Sequence, residues 1–375
     1  MVVQQNKKNI MNRIRLTIGI LGLTTLLSCN RTDFSNPEEV IKSYRDLSNE
    51  NKNERIYEEF LSSKSKEFVT SDEFVKARYA SDSIKKAITI LETNVSSYPM
   101  DVNNPTYRRY KVDVKTIFKK DTVYNRFYYS LINENGKWKV VWTETLLNFA
   151  YKKYTDGNYA EARKTLEKII EIDPFRGAAY SLLAWSYLRD NSLTRNEWEN
   201  GVVKNAKYAV TLEEDNPNHY NTLASYYSAI GNTDLAIQNV ERGLSYCQNE
   251  NEKTTFYSNL VGSYMEKRKF DKAEEYVKKS IEINDKAAFV WFKYGTLMLA
   301  QNKIDKAIDY FEQALKKDKM ENSIQCRLYY CYSLCCFKKD KCDIAKEYIN
   351  KALDIEPNNY EYQYLYDELK YCNAN

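Results

Sequence analysis

Residues 291–315 read WFKYGTLMLAQNKIDKAIDYFEQAL, and the pattern of this stretch decides the fold of more than half of the chain. Large residues such as Trp291 and Phe311 recur at helical spacing together with the small residues Gly295 and Ala307. Glycine and alanine let two helix backbones approach closely, and large side chains fill the gaps between them. The stretch therefore predicts two helices that pack against each other.

The same pattern recurs on both sides of this stretch. Ala273 lies 34 residues before Ala307, and Ala345 lies 38 residues after it. A less regular unit runs from Tyr180 to Ala209 and has extra residues between its helices. A fixed period of this length is the signature of a repeat protein, in which each unit stacks on its neighbours.

This periodicity resembles the tetratricopeptide repeat, in which two antiparallel helices form each unit. The resemblance implies a mainly α fold, a helical superhelix, over residues 144–375. We expect six units, because one helix pair cannot bury its apolar face alone. A Tyr-rich final helix over residues 360–371 carries many polar side chains and is predicted to cap the array.

The resemblance also implies where a partner binds, because the first helices of such repeats line a concave groove. The predicted groove residues are Tyr151, Tyr154, Trp185, Leu188, Asn221, Ser225, Ser228, Met265, Phe289, Phe292, Leu299, Tyr330 and Phe337. An aromatic groove with a small, polar middle suits an extended peptide, a helix of another protein, or sugar rings stacked on aromatics. We expect half of these aromatic residues to pack between repeats instead. Chaperone-binding repeats clamp a C-terminal carboxylate with Lys, Arg and Asn, and no such clamp is expected in this set.

Residues 36–143 have a different pattern, in which helices precede strands. Asn36 followed by Pro37 predicts the capped start of a helix, and apolar residues follow at helical spacing. The hydrophobic period then changes from helical to two, which predicts strands, and Asn135-Gly136 predicts a tight hairpin turn. Further helices are expected over residues 54–61 and 71–79, and strands over residues 88–95, 110–118, 123–132 and 138–142.

Helices followed by a meander that closes on Gly-Lys-Trp-Lys-Val-Val-Trp (136–142) resemble the NTF2-like fold. The resemblance implies a small α+β domain over residues 36–143, as in modules of bacterial lipoproteins and penicillin-binding proteins. Some such folds hold a catalytic Asp/His pair or a ligand, but this segment contains no histidine. We therefore expect a structural spacer. A hydrolase that uses a carboxylate pair is a weaker hypothesis, because nothing distinguishes one pair from surface charge.

The N-terminus has the three parts of a secretory signal. Four basic residues precede the apolar run Leu16–Leu27, and Leu26-Leu27-Ser28-Cys29 follows the pattern of a bacterial lipobox. The run is shorter than the roughly 20 residues that span a bilayer. The resemblance implies that residues 1–28 are a signal peptide, that Cys29 is acylated, and that residues 29–35 form a tether. Either Met1 or Met11 can start such a signal.

Charge and composition exclude several classes of protein. The chain has 56 basic and 52 acidic residues, and loss of the four basic residues before Cys29 leaves 52 of each. A neutral chain lacks the basic footprint of a nucleic-acid-binding protein. The only histidine, His219, follows Asn216-Pro217-Asn218 and is predicted to be a solvated residue at a helix start. We therefore expect no catalytic residues, no cofactor and no metal site.

Seven cysteines follow Cys29, and five of them lie between residues 326 and 342. Cys336 and Cys342 occupy apolar repeat positions, where cysteine acts as a small hydrophobic residue. The first interpretation is therefore buried thiols at Cys247, Cys326, Cys331, Cys335, Cys336, Cys342 and Cys372. A disulfide, formed in an oxidising compartment, is the second interpretation. Zinc is the weakest alternative, because the spacing is not that of paired Cys-x2-Cys motifs and no histidine is near.

Together these features predict a membrane-anchored, non-enzymatic scaffold that binds a protein or an extended peptide. The alternative is a glycan- or solute-binding accessory lipoprotein of an outer-membrane uptake system. The expected location is the bacterial cell envelope, in the outer membrane and facing the periplasm, because Asn30 follows the acylated cysteine.

Overall fold

The computed structural model describes residues 32–50, 52–79, 88–97, 105–118, 121–317, 320 and 322–372. These residues fall into two compact units. The first contains the described residues up to Asp121 together with Arg126–Thr145, and the second contains Thr122–Asn125 together with the described residues from Leu146 onward. The predicted signal peptide (1–28) and Cys29 lie outside the described residues. Within the described part of the chain, every helix is too short or too polar to cross a bilayer.

The N-terminal unit begins with short helices whose starts follow from local sequence. They are α1 (Pro37–Asn49), α2 (Asn53–Arg55), a π-helical turn (Ile56–Phe60), α3 (Ser63–Lys66) and α4 (Ser71–Tyr79). The Asn36 side chain accepts hydrogen bonds from the backbone N–H groups of Glu38 and Glu39, and Pro37 occupies the first helical position. The predicted capped start is therefore confirmed. Helix α3 was not predicted, and the Ser62 hydroxyl caps it by accepting from the backbone of Ser65 at 3.2 Å.

Four strands follow in the predicted order and form one sheet. They are β1 (Ile88–Ser97), β2 (Tyr107–Phe118), β3 (Asp121–Glu134) and β4 (Lys137–Val140), with spatial order β1-β2-β3-β4. Strands β1 and β2 pair antiparallel, as do β3 and β4. Asn135 and Gly136 have positive φ angles of 53° and 79°, which confirms the predicted hairpin turn.

One face of the sheet carries the apolar core of this unit. Val112 of β2, Leu131 of β3 and Val140 of β4 pack with Ile41 and Phe60 from the helices, and all are buried. The sequence placed Trp142 on the last strand, but β4 ends at Val140. The backbone N–H of Val141 still donates to Ser130 of β3 at 2.9 Å, whereas that of Trp142 donates to the hydroxyl of Ser65 at 2.8 Å.

The repeat unit consists of six helix pairs and a final helix among the described residues. The pairs are α5 (Glu144–Thr155) with α6 (Tyr159–Ile172), α7 (Gly177–Leu188) with α8 (Arg195–Leu212), α9 (Pro217–Ala229) with α10 (Thr233–Tyr246), α11 (Glu250–Glu266) with α12 (Phe270–Ile283), α13 (Ala288–Ala300) with α14 (Ile304–Leu315), and α15 (Asn322–Phe337) with α16 (Cys342–Ile355). Helix α17 (Tyr360–Leu369) ends the array. The sequence analysis expects six units and a capping helix over the same region.

Tight turns join the helices within five of the six described pairs. Each turn contains one residue with a positive φ angle, and these residues are Gly157, Gly231, Arg268, Asn302 and Asp340. A residue in this conformation ends a helix by reversing the chain. The pair α7 and α8 instead has a longer connection, in which Thr194 and Glu197 form a capping box. This is the less regular unit that the sequence predicts.

Small residues lie where neighbouring helices cross, both within a pair and between pairs. A Cβ atom added at Gly295 of α13 would overlap the ring of Phe311 on α14. At Gly243 of α10, an added Cβ atom would overlap the ring of Phe256, which belongs to α11. The predicted roles of Gly295 and Phe311 are confirmed, because glycine makes room for the phenylalanine that fills the crossing.

His219 is not a solvated residue, so the prediction from the sequence was wrong. It is 1% exposed and bridges two helix pairs. Its Nδ1 lies 2.7 Å from Ser181 Oγ of α7, and its Nε2 lies 2.8 Å from Glu213 Oε2. His219 fits at the start of α9 because Gly177 has no side chain. A Cβ atom at Gly177 would lie only 2.7 Å from Nε2 of His219. Ser181, His219 and Glu213 are all buried, so their hydrogen bonds are shielded from solvent.

The cysteines divide into two kinds. Cys326, Cys335 and Cys336 are buried free thiols, as predicted. Cys247 and Cys331 are also free thiols, but they are only partly buried, so the buried-thiol interpretation was wrong for them. Cys342 and Cys372 instead form a disulfide, with 5.8 Å between their Cα atoms, so the buried-thiol interpretation was wrong for these two. Cys372 follows the end of α17, and the return of that helix onto α16 brings it to Cys342. Among the described residues, no group of His, Cys, Asp and Glu side chains has an arrangement that could hold a metal ion.

Candidate partner-binding groove

The first helices of the pairs provide the surface on which the predicted groove residues lie. Helices α7 and α9 contact each other, as do α11 and α13, and α13 and α15. The predicted residues differ in exposure. Tyr151 is 57% exposed, Phe292 is only 4% exposed, and the other eleven are partly buried.

Phe292 is a core residue. Its ring lies 6.1 Å from that of Phe311, and both side chains are buried. Phe292 therefore cannot contact a partner on the surface, in contrast to the prediction. Phe289 of the same helix remains partly buried and accessible.

The N-terminal end of the surface is an aromatic patch that includes a cation. The rings of Tyr151 and Tyr154 are 6.2 Å apart, and Tyr159 lies 5.7 Å from Tyr154. The guanidinium of Arg189 lies 5.9 Å from the ring centroid of Trp185. Burial raises the pKa of Tyr154, although the charge and hydrogen bond of Arg189 oppose this effect. Arg189 therefore connects the aromatic residues of α5 with Trp185 of α7.

Arg189 was missed by the sequence analysis. It follows the last residue of α7 directly, at the end of the helix that carries Trp185 and Leu188. Its position four residues after Trp185 was the available signal, because arginine stacks readily on aromatic rings.

The middle of the surface is polar. The Asn259 side-chain amide on α11 donates to the Asn221 side-chain oxygen on α9 at 2.6 Å. Ser225 and Ser228 lie one and two turns further along α9 and are partly buried. Asn259 was also missed, although it lies 38 residues after Asn221. Amides and hydroxyls in this region have both donors and acceptors, which match the backbone groups of an extended peptide.

The C-terminal end is more apolar and partly covered by the array itself. Met265, Leu299 and Phe337 pack against the main core of the repeat unit. The ring of Tyr330 lies 5.0 Å from that of Tyr362 on the final helix. Burial raises the pKa of Tyr330, and the negative charge of Glu361 adds to this effect. These contacts leave less aromatic surface here than at the N-terminal end.

Family models identify the repeat that builds this surface. Tetratricopeptide repeat models match residues 147–210, 254–286 and 288–319. The matched stretches coincide with helix pairs of the second unit, which is therefore an array of tetratricopeptide repeats. The fold class predicted from the sequence, a mainly α repeat superhelix after a small α+β region, is confirmed.

Known relatives match a short part of this chain. Mitochondrial import receptor subunit TOM70 of Rattus norvegicus is 33% identical over 82 residues, which are 22% of this chain and 13% of the receptor. The human receptor is 32% identical over the same length. The similarity therefore spans a small fraction of the receptor's own length.

Solved structures with a similar arrangement include two bacterial proteins and a yeast protein. PilF of Pseudomonas aeruginosa has 18% identity and a TM-score of 0.45, with 60% of this chain and 96% of that chain covered. PilW, a type IV pilus biogenesis factor, has 14% identity and a TM-score of 0.47, with 60% and 97% covered. Yeast Tom70 has 17% identity and a TM-score of 0.49, with 61% and 46% covered.

Proposed function

We propose that this protein is a non-enzymatic scaffold, anchored to a membrane by lipid, whose repeat surface binds an extended segment of a partner protein. The observation that carries the proposal is the surface formed by the first helices. An accessible aromatic patch around Tyr151, Tyr154 and Trp185 lies at one end of this surface, and the polar Asn221–Asn259 pair lies at its middle. Aromatic residues contribute strongly to protein recognition, and polar groups fix the register of a bound chain.

Anchoring at Cys29 is supported by the sequence of the N-terminus. The basic residues, the apolar run and the Leu-Leu-Ser-Cys ending together match a lipoprotein signal. A location in the bacterial cell envelope, in the outer membrane and facing the periplasm, follows from this proposal. The Cys342–Cys372 disulfide supports an oxidising compartment outside the cytoplasm.

The anchor is tested with Cys29→Ser. We expect the variant to lose acylation, to migrate differently on a gel and to leave the membrane fraction. Mass spectrometry of the N-terminal peptide checks acylation directly. Unchanged membrane association of Cys29→Ser, together with an unmodified Cys29 in the natural chain, would contradict the proposal.

The partner is tested by crosslinking in membranes, purification of the tagged protein and mass spectrometry. A Tyr154→Ala/Trp185→Ala variant should lose the partner, because both rings belong to the accessible patch. The control is Tyr208→Ala, which removes an exposed aromatic residue from a second helix, α8. Helicity and the unfolding midpoint are measured for both variants. A partner retained by the double variant, or lost equally by the control, would contradict the assigned surface.

Sugar binding is the second candidate function, because the same accessible rings provide flat surfaces for pyranose faces. Its test is titration of the protein with soluble oligosaccharides while tryptophan fluorescence is recorded. A response that Trp185→Ala abolishes, without any crosslinked protein that depends on the patch, would favour a glycan-binding accessory lipoprotein.

A further inference from the structure

The final helix, α17, has a face that is open to solvent, whereas the equivalent face of α13 is covered. The N-cap of α17, Asn359, lies 72 residues after Ala287, the N-cap of α13, so the two helices can be compared position by position. Val290 of α13 is buried, and so is its equivalent in α17, Tyr362. This agreement supports the comparison.

In α13 the face in question packs against the second helix of the same pair, α14. The rings of Phe292 and Phe311 lie 6.1 Å apart, and those of Tyr294 and Tyr310 stack at 3.9 Å. A Cβ atom added at Gly295 would overlap the ring of Phe311. Helix α14 therefore buries these three positions of α13.

The equivalent positions of α17 are exposed. They are Tyr364, Tyr366 and Asp367, and Tyr364 is 69% exposed. No second helix follows α17 in the part of the chain that the structure describes. Tyr360, one turn before Tyr364, and Tyr371, seven residues after it, extend this surface in both directions and are also exposed. These five residues are called the open face of α17 below.

The open face does not suit another helix of the array. Asp367 occupies the position at which Gly295 of α13 lets a second helix approach closely. A helix packed as α14 packs on α13 would overlap the side chain of Asp367 and would remove its carboxylate from water, which is unfavourable. A ligand for this face must therefore tolerate exposed carboxylates between the rings.

The stretch that carries the open face is acidic. Residues 352–369 contain five acidic residues and no basic one, whereas the chain after residue 28 has 52 residues of each sign. Lys370 follows this stretch, pairs with Asp367 at 2.7 Å and lies 5.1 Å from the ring centroid of Tyr366. Glu368 is exposed, and its carboxylate has no ion pair among the described residues. The charge of this end of the array is therefore complementary to a basic partner.

The tyrosine rings of the open face point to the same kind of partner. On α12 and α16, the rings of Tyr276 and Tyr348 each have a lysine ammonium, 4.9 and 4.2 Å from the ring centroid, provided by the residue three positions later. The residue three positions after Tyr364 is instead Asp367. Apart from Tyr366, no ring of the open face has a cation over it within the described residues, so these rings are available to a cation from elsewhere.

We infer that the open face of α17 binds a basic segment of a partner protein. Lysine or arginine side chains of this segment lie over the exposed tyrosine rings and pair with Glu368. Tyrosine rings and carboxylates both attract ammonium and guanidinium groups, and together they favour a basic segment over a neutral or an acidic one. Helix α17 carries none of the predicted groove residues, so this surface is separate from the groove and does not depend on the proposed function.

Four synthetic octapeptides, all acetylated and amidated, serve as probes. They share one serine and alanine sequence and differ at three positions, which are occupied by lysine, arginine, glutamine or glutamate. Binding to the purified protein is measured by isothermal titration calorimetry at low salt, and the measurement is repeated at high salt. Affinity for the two basic peptides should fall as salt increases, because exposed charges are screened.

We expect the lysine and arginine peptides to bind about tenfold more tightly than the glutamine peptide, because several weak cation–ring and ion-pair contacts add. This gain should disappear in Tyr364→Ala/Tyr371→Ala and decrease in Glu368→Gln. It should persist in Tyr364→Phe/Tyr371→Phe, which keeps both rings. The control variants are Tyr208→Ala on α8 and Glu171→Gln on α6, each of which removes an exposed side chain elsewhere. All these side chains are exposed, so circular dichroism should not change.

Similar affinity for all four peptides, or a gain that persists in Tyr364→Ala/Tyr371→Ala, would overturn the inference. Loss of the gain in Tyr154→Ala/Trp185→Ala would also overturn it, because the groove would then bind the basic peptides. Sedimentation tests a second copy as the occupant, and a dimer that Tyr364→Ala/Tyr371→Ala dissociates would contradict a basic partner. The proposed function is judged separately, by whether the crosslinked partner depends on Tyr154 and Trp185.

Discussion

The two halves of the repeat array hold neighbouring helix pairs together in different ways. From Ala224 to Leu369, the buried apolar side chains form a single continuous cluster. The earlier pairs are divided between two small clusters, one around Leu166 and Ile169 and another around Val202. These earlier helix pairs are joined instead by buried hydrogen bonds and ion pairs. One of these contacts is the His219 bridge between α7 and α9.

This difference affects how each half positions the helices of the candidate binding surface. Apolar packing depends on fit and area but has little directional preference, whereas a hydrogen-bonded bridge has a defined geometry. Ser181 and His219, which form the bridge, lie on the helices that carry Trp185 and Asn221. The polar half therefore fixes the relative orientation of the aromatic patch and the polar middle. The apolar half contains the largest cluster of buried apolar side chains among the described residues.

Phe311→Ala is expected to have the largest effect on stability, because Phe311 is fully buried in the continuous cluster. Loss of a buried phenylalanine costs about 3–5 kcal/mol in the free energy of unfolding. Urea unfolding followed by circular dichroism measures this loss. The control is Tyr364→Ala, since Tyr364 is 69% exposed on the final helix. Similar losses in the two variants would contradict the continuous core.

Removal of the disulfide should have the next largest effect. The Cys342–Cys372 bond joins residues 30 apart and holds the final helix against the apolar half. Such a crosslink contributes about 2–4 kcal/mol, mainly by restricting the unfolded chain. Dithiothreitol should lower the unfolding midpoint of the natural protein. The Cys372→Ser variant should already have a low midpoint, which dithiothreitol should not change. Mass spectrometry after alkylation without reduction should leave Cys342 and Cys372 unlabelled. Labelling of both would show that the bond is absent.

Glu213→Gln tests the polar half. The carboxylate of Glu213 accepts from the backbone N–H of Gly177 at 3.1 Å and from the side chain of Asn216 at 2.8 Å, and it contacts His219. Glutamine has one acceptor oxygen instead of two, so at least one of these buried groups loses its partner. The expected cost is about 1–3 kcal/mol in the free energy of unfolding. Glu214→Gln is the matched control, because its side chain is exposed.

The same variant should change the pH dependence of stability. Burial alone would raise the pKa of Glu213, but the hydrogen bond and charge of His219, together with Asn216 and Arg176, lower it below its ordinary value. A carboxyl group with a lowered pKa in the folded state stabilises the protein above its unfolded pKa, and this contribution is lost as the pH falls. Below about pH 4.5 the natural protein should therefore approach Glu213→Gln in stability. A difference that stays constant down to pH 3 would contradict this assignment.

The pattern of small and large residues predicts much of the fold, because local packing at each helix crossing depends on residues close in sequence. Gly295 and Phe311 belong to one helix pair, and their contact follows from the pattern of that pair alone. Asn36 and Asn135 are similar cases, since a helix cap and a hairpin turn are determined by adjacent residues.

Contacts between pairs could not be predicted in the same way. His219 is buried because Gly177, 42 residues earlier, leaves space for it, and no local pattern shows this. Phe289 and Phe292 lie three residues apart on α13, and helical spacing does not show which ring contacts Phe311. The sequence therefore predicts which helices carry the candidate surface, but the exposure of the individual residues required the structure.

The smallest effect that still distinguishes the two halves is expected for Arg163→Met. Arg163 of α6 donates to Asp190 at 2.8 Å and to the backbone oxygen of Ser186 at 3.2 Å, and so joins the first pair to the second. Asp190 also accepts from Ser192, so it does not become unpaired when Arg163 is replaced. Methionine keeps much of the aliphatic volume, and the expected loss is about 1 kcal/mol.

Lys351→Met is the matched control for Arg163→Met, because the exposed pair of Lys351 with Glu347 contributes less than about 0.5 kcal/mol. If both substitutions have equally small effects, the ion pair of Arg163 does not hold the first two helix pairs together. The special role of polar contacts in the N-terminal half would then be limited to the His219 bridge. A clear difference between the variants would extend that role to the whole end of the array that carries the aromatic patch.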